Sequence, residues 1–170
     1  MKPRIIFLID KKGWVFDSIA QEIVKRLKDK YKFSLYYVTE KCPDFRNLNF
    51  DLLYVFFWGE NFWKGHNIPP HKVIREVASY RWKDQAYYGN LSVEGFCRRY
   101  LNDCNYVTTP CASLAEELSG YRNKVYHILN GVDCSIYKPK PIGKRQQQLK
   151  IGWAGNPDDS IKGLQDILLP

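Results

Sequence analysis

Short apolar runs alternate with amphipathic segments along most of the chain. Residues 4–10 are a β-branched apolar run that ends at the turn signal Lys11-Lys12-Gly13, as expected of a strand buried on both faces. Five later apolar runs predict further strands, at residues 33–38, 51–58, 73–77, 106–108 and 125–129. The segments between several of these runs have helical periodicity, so the strands are expected to pair in parallel.

Three of the intervening segments predict helices. Asp17 or Ser18 is the expected N-cap of the first helix, in which Ile19, Ile23, Val24 and Leu27 form an apolar stripe. Ser92 is the expected N-cap of a helix over residues 92–101, and an Ala/Glu/Leu-rich helix is expected to end at Gly120. Strands and helices alternating in this way predict a doubly wound α/β fold, a Rossmann-like parallel sheet with helices on both faces.

Ligands of such sheets bind outside the carboxyl ends of the strands. The loops at that edge are expected to be residues 11–14, 58–60, 78–82, 109 and 130–133. Functional side chains are therefore sought in these loops.

The pattern is interrupted near the end of the chain. Residues 138–148 are basic, polar and contain prolines, which is typical of an interdomain linker. Residues 149–154 then predict a new strand and residues 160–169 a helix, too little to bury a core of their own. We expect one domain over residues 1–137 and the start of a second over residues 149–170.

The composition, 45% hydrophobic and 26% charged, is that of a folded protein. The longest apolar runs are too short to span a bilayer or to act as a secretory signal, so we expect no membrane helix. Five cysteines without a CxxC pair argue for reduced thiols and a cytoplasmic location. Cys97, Cys104 and Cys111 recur every seven residues, which suggests a metal site, but packing is the favoured interpretation and no metal is predicted.

The net charge of +8 points to an anionic partner. Among residues 1–50 there are 11 Lys and Arg against 6 Asp and Glu, several of them on the first helix. That basic face is either a solvated outer surface or a peripheral contact with the inner face of a membrane. Nucleic acid is not expected as a partner, because no RNP, KH or zinc pattern is present.

One group of motifs is more specific. Asn130-Gly131-Val132-Asp133 follows a predicted strand, Tyr137 and Pro139 come shortly after, and the Gly155 turn precedes Lys162-Gly163. In this order and spacing the motifs resemble the group 1 glycosyltransferases, the retaining family four with the GT-B fold. The resemblance in motif covers roughly the last 65 residues; before them the order of strands agrees.

The resemblance implies one half of a GT-B architecture, with an N-terminal domain for the acceptor and a C-terminal domain for the nucleotide-sugar donor. It places Asn130, Gly131 and Asp133 at the cleft between domains, and Gly155, Asn156 and Lys162 at the donor phosphates. The family usually has an arginine directly after the turn glycine. Asn156 stands there, so one phosphate-binding cation is missing. Lys162 could otherwise be a solvated helix lysine.

On the acceptor side, the resemblance singles out the loop after the first strand and the ends of later strands. The candidates are Gly13, Trp14, Trp58, Glu76, Tyr80 and Arg81. The alternatives are that residues 11–14 form an ordinary strand-to-helix turn and that most of the aromatic residues belong to the core. The histidine that the family often carries at the end of the fourth strand is absent from residues 77–80.

The expected function is therefore part of a glycosyltransferase that moves a sugar from a nucleotide-sugar donor to a glycan or lipid-linked acceptor, without a further cofactor. The family's C-terminal pair of glutamates would lie beyond residue 170, so the chain alone is expected to be inactive. The alternative is a non-catalytic Rossmann-like module that binds a phosphorylated small molecule or a protein partner. A dehydrogenase is disfavoured because no GxGxxG follows the first strand.

Overall fold

The computed structural model describes residues 1–41, 44–59, 65–122 and 124–138, and of residues 86 and 87 it describes only the backbone. Contacts divide the chain into a compact unit, Met1–Gly131, and a second unit, Val132–Pro170. The expected strand and helix near the end of the chain, the linker beyond Lys138, and the candidates Gly155, Asn156 and Lys162 lie outside the described residues.

Six strands and four α-helices make up the described fold. The strands are β1 (Arg4–Ile9), β2 (Lys32–Tyr37), β3 (Leu52–Val55), β4 (Val73–Glu76), β5 (Tyr106–Thr109) and β6 (Val125–His127). The helices are α1 (Val15–Leu27), α2 (Gln85–Tyr88), α3 (Val93–Tyr100) and α4 (Ala112–Ser119). Short 3₁₀ turns occur at Phe45–Asn47, Pro70–Lys72 and Arg81–Lys83.

The strands form one parallel sheet in the order β2-β1-β3-β4-β5-β6. β1 lies inside the sheet, with Ile5 opposite Phe33 of β2 and Leu52 of β3. β4, β5 and β6 then follow in chain order. The chain thus winds from β1 first to one side and then to the other, which confirms the predicted Rossmann-like α/β class.

Helices cover both faces of the sheet. Phe7 of β1 packs in a cluster with Ala20 of α1, whereas Leu8 belongs to the larger cluster that contains Phe96 of α3 and Leu114 of α4. Adjacent residues of β1 face opposite sides, so an uninterrupted apolar run is what a strand covered on both faces requires. Each fully buried side chain of this kind stabilises the fold by roughly 1.5–3 kcal/mol.

The first helix begins earlier than predicted. α1 starts at Val15 with Trp14 in the N-cap position, so the prediction of Asp17 or Ser18 as N-cap is wrong. Gly13, with φ of +78°, turns the chain just before the helix and donates its N–H to the Asp17 carboxylate at 2.8 Å. Asp17 thus accepts a backbone N–H that precedes the helix, although it lies within the first turn of the helix. The predicted cap of α3 is confirmed, because the Ser92 hydroxyl accepts from the Gly95 N–H at 3.1 Å.

Two strands are shorter than their apolar runs. β3 ends at Val55, although the run continues to Trp58, and β6 ends at His127. Trp58 is nevertheless only 1% exposed. Apolar character therefore marks burial here, and it continues after the ladder of paired strands has ended.

Candidate functional site

Three polar side chains meet on the α1 face of the sheet, close to its carboxyl edge. Glu76 is the last residue of β4 and lies opposite Thr108 of β5 in the strand register. Tyr54 of β3 donates its hydroxyl to Glu76 Oε2 at 3.0 Å, and its oxygen lies 2.8 Å from Thr108 Oγ1. Because the one phenol proton goes to Glu76, the Thr108 hydroxyl donates to Tyr54.

Burial dominates the electrostatics of this cluster. Removal from water raises the pKa of Glu76 from 4.5 to about 7, against the opposing effect of the Tyr54 hydrogen bond. Burial and the neighbouring Glu76 charge raise the pKa of Tyr54 as well, so the phenol remains protonated. At neutral pH the carboxyl group is consequently divided between its protonated and ionised forms, as is typical of functional acids.

The cluster lines a cavity of about 180 Å³. The apolar part of the lining comes from α1, from the residue after β3 and from the two residues after β6: Ile19, Ile23, Phe56, Ile128 and Leu129. Thr109, Pro110, Asn130 and Gly131 complete the lining. A concave, mostly apolar space with a few convergent polar groups is the usual form of a small-ligand site.

The loop between β1 and α1 is built around a buried carboxylate. Asp17 Oδ2 accepts the Gly13 N–H, and Asp17 Oδ1 accepts the Tyr37 hydroxyl at 2.8 Å. Asp17 is 8% exposed. Burial raises the pKa of Asp17, but these hydrogen bonds outweigh it and the net pKa is lowered. Trp14 is 57% exposed, with Lys11 Nζ 4.7 Å from the centre of a Trp14 ring. The candidates Gly13 and Trp14 therefore lie in a loop at the carboxyl edge, outside the lining of the cavity.

Trp58 requires a correction. It was expected to offer a stacking face to a sugar, but it packs among core aromatics, with its ring centre 5.0 Å from that of Phe96. Trp82 is buried in the same cluster and stacks on Phe96 at 4.1 Å. The alternative interpretation, that these indoles are core, is the one that the structure supports. Trp58 also accepts a hydrogen bond on its carbonyl from the fully buried Arg75, which pairs with Asp103.

Tyr80 and Arg81 lie after β4, away from the cavity lining. Tyr80 is half-buried against the cluster on the α3 and α4 side, and Lys83 Nζ lies 4.5 Å from its ring centre. Arg81 is exposed at the following 3₁₀ turn. Of the six acceptor-side candidates, only Glu76 lines the cavity.

The cleft candidates fall in two units. Asn130 and Gly131 belong to the first unit and line the cavity. Asp133 belongs to the second, where its Oδ1 accepts from the Ser135 N–H at 2.9 Å and from the Ser135 hydroxyl at 2.6 Å. Asp133 thus closes a local turn.

Sequence analysis missed Tyr54 and Thr108. Both carry a hydroxyl group but lie within apolar strands, and both are far from Glu76 along the chain. Side chains alternate between the two faces of a strand, so Thr108 and Glu76 can be placed on one face of the sheet once the strand order and register are known. The sequence alone does not provide that order and register.

The cysteines and the basic helix offer no metal or membrane-spanning feature within the described ranges. Cys97 and Cys104 are buried core residues, as the packing interpretation expected. No group of three or more His, Cys, Asp or Glu residues in the described part of the chain could hold a metal ion.

None of the described helices is long and apolar enough to cross a bilayer. On α1, Lys25 and Arg26 both pair with Glu22, at 3.2 and 3.4 Å.

No protein family, no curated protein and no solved structure matches the chain. A proposal for its function therefore rests on the residues described above.

Proposed function

We propose that the chain is the acceptor-binding half of a glycosyltransferase that moves a sugar from a nucleotide-sugar donor to a glycan or lipid-linked acceptor. The observation that carries the proposal is the Glu76 cavity at the carboxyl edge of a parallel sheet, the edge at which such folds bind ligands. The motifs from Asn130 to Lys162 add the resemblance in sequence.

The cavity suits an acceptor better than a donor. Its charged group is a carboxyl, and no Lys, Arg or His is among the described residues that line it. A phosphorylated ligand would meet a carboxylate with no cation to balance it, which is unfavourable in a buried site. The nucleotide diphosphate is accordingly assigned to the residues after position 149, where Gly155, Asn156 and Lys162 are the candidates.

The alternative is a non-catalytic module that binds a phosphorylated small molecule or a protein partner. The missing arginine at position 156 and the missing histidine in residues 77–80 favour this alternative. The two proposals differ in whether any sugar transfer depends on the cavity.

The test uses the native protein that contains this chain, isolated from its own cells. Its intact mass is measured, and it is incubated with a panel of labelled nucleotide-sugars and an acceptor extract from the same cells. We expect release of nucleoside diphosphate that requires the extract, and a strong reduction on Glu76→Gln. Glu116→Gln, a change at an exposed site on α4, is the matched control and should leave the rate unchanged. Absence of transfer from every donor would favour the binding module.

A further inference from the structure

One oxygen of the Glu76 carboxyl group has no protein partner among the described residues. Tyr54 donates to Oε2, whereas no hydrogen bond to Oε1 is formed within the described part of the chain. Glu76 is only 5% exposed, and its side chain lines the cavity. Oε1 is not among the fully enclosed atoms without a partner in the described residues, so it keeps some access to the cavity. Because the rest of the carboxyl group is largely removed from water, a ligand that donates to Oε1 gains more than a surface contact would give.

No positively charged side chain is among the described residues that line the cavity around Glu76. α1 contributes Ile19 and Ile23 to the lining, β5 contributes two threonines, and the segment after β6 contributes apolar and amide side chains. Tyr54 on β3 is the other titratable lining residue and stays neutral. With no cation in the described lining, an ionised Glu76 leaves a net negative charge inside a protein whose overall charge is +8. An incoming cation would neutralise that charge, whereas an anion would double it.

The dimensions limit the ligand. A volume of about 180 Å³ corresponds to roughly six water molecules at their share of liquid volume, about 30 Å³ each. This is room for one ring or a short chain. The apolar walls favour a carbon frame with few polar groups beyond the one that reaches Glu76.

We propose that the cavity binds a primary ammonium group carried on a ring-sized ligand. The ammonium donates to Glu76 Oε1, and its carbon frame packs against Ile19, Ile23 and Phe56. If the cavity is the acceptor site, the acceptor carries an amino group; that part of the inference rests on the proposed function. The binding site itself does not depend on sugar transfer.

The experiment titrates three probes of equal ring size into the isotopically labelled full chain: cyclohexylamine, cyclohexanol and cyclohexanecarboxylate. Backbone resonances of Ile19, Ile23 and Thr108 report occupancy of the cavity. At pH 8 we expect the amine to bind at least about tenfold more tightly than the alcohol, as one charge-assisted hydrogen bond would give. The carboxylate should not bind.

Ionisation of Glu76 supplies a second signature. With a pKa of about 7, the ionised fraction falls on the order of thirtyfold between pH 8 and pH 5.5, and the affinity for the amine should fall with it. Glu76→Gln should abolish amine binding and its pH dependence, while Glu116→Gln should retain both. The pH comparison in the unmodified chain needs no variant and decides the matter even if Glu76→Gln does not fold.

Three results would overturn the inference: equal binding of alcohol and amine, amine affinity independent of pH, or no shift at the cavity with any probe. None of them bears on the transfer assay, so the proposed function would still be judged by its own experiment. Amine binding without any sugar transfer would overturn the proposed function and leave this site standing.

Discussion

Replacing Glu76 with Gln should change how the stability of the protein depends on pH. The carboxyl group of Glu76 is buried and has a folded-state pKa of about 7, against an ordinary value of 4.5. Between these two values the folded state binds more protons than the unfolded state. The free energy of unfolding therefore contains a contribution from Glu76 that is fully present below about pH 4.5 and is lost as the pH rises through about 7. The amide of Gln has the same shape and does not ionise.

The size of the effect follows from the same pKa values. At about 1.4 kcal/mol for each pKa unit, ionising Glu76 costs the folded state about 3 kcal/mol. Glu76→Gln should thus gain about 3 kcal/mol of stability relative to the unmodified chain between pH 4.5 and pH 8.5. The two hydrogen-bonded acids with lowered pKa values, Asp17 and Asp44, act at lower pH and are present in both proteins.

Denaturant unfolding of the full chain at intervals from pH 4.5 to pH 8.5 measures this difference. The comparison is made for the unmodified chain, Glu76→Gln and the exposed-site control Glu116→Gln. We expect the curve for Glu76→Gln to diverge upward from the other two between about pH 4.5 and pH 7 and to stay above them by a constant margin at higher pH. Three curves that stay parallel across the range would refute the assignment of a buried, desolvated carboxyl to Glu76.

Two further substitutions and one labelling experiment test the packing. Arg75→Met removes the buried guanidinium beside Asp103 and should lower the free energy of unfolding by about 3 kcal/mol, with partial recovery in the double variant that adds Asp103→Leu; an unchanged denaturation midpoint would contradict the ion pair. Ser92→Ala removes the cap of α3 and should cost about 1 kcal/mol in the same assay, whereas a loss below about 0.3 kcal/mol would mean that the cap contributes nothing. Burial raises the pKa of Cys97 and Cys104 to about 11, so a thiol reagent followed by mass mapping should label them only after unfolding; labelling of either in the native protein would show that the core is open there.

Much of the fold could be predicted because its strands are covered on both faces. A strand such as β1 needs apolar residues at successive positions, and that demand is visible in the sequence as the run over residues 4–10. The Ser92 cap was predictable for a similar reason, since the residue satisfies a backbone group only three positions away.

The start of α1 was not predictable in the same way. Asp17 has the residue type of an N-cap, but it occupies the first turn and accepts the N–H of Gly13 together with the hydroxyl of Tyr37. Tyr37 lies 20 positions further along the chain. A carboxylate that is satisfied by a distant strand has no need of the cap position, and nothing near Asp17 in sequence reveals that.

In the candidate site, too, one residue could be proposed from the sequence and its partners could not. Glu76 could be proposed from the sequence because the resemblance to the glycosyltransferases draws attention to the end of the fourth predicted strand. Its partners could not, since Tyr54 and Thr108 reach it across strand register, over 22 and 32 positions of chain. Trp58 was proposed as a site residue from the sequence but is a core residue in the structure. An aromatic residue at a strand end can face a ligand or the core, and only tertiary packing determines which.

Local patterns along the chain suffice to predict the class of the fold and the edge of the sheet where chemistry is expected, because burial on two faces and strand–helix alternation are visible over short stretches. Which side chains meet at that edge depends on contacts between distant parts of the chain. Parallel register brings Tyr54, Glu76 and Thr108 together, and the cover that they share with α1 keeps water from the carboxyl group. The raised pKa of Glu76 is the result of that desolvation, which no stretch of sequence contains.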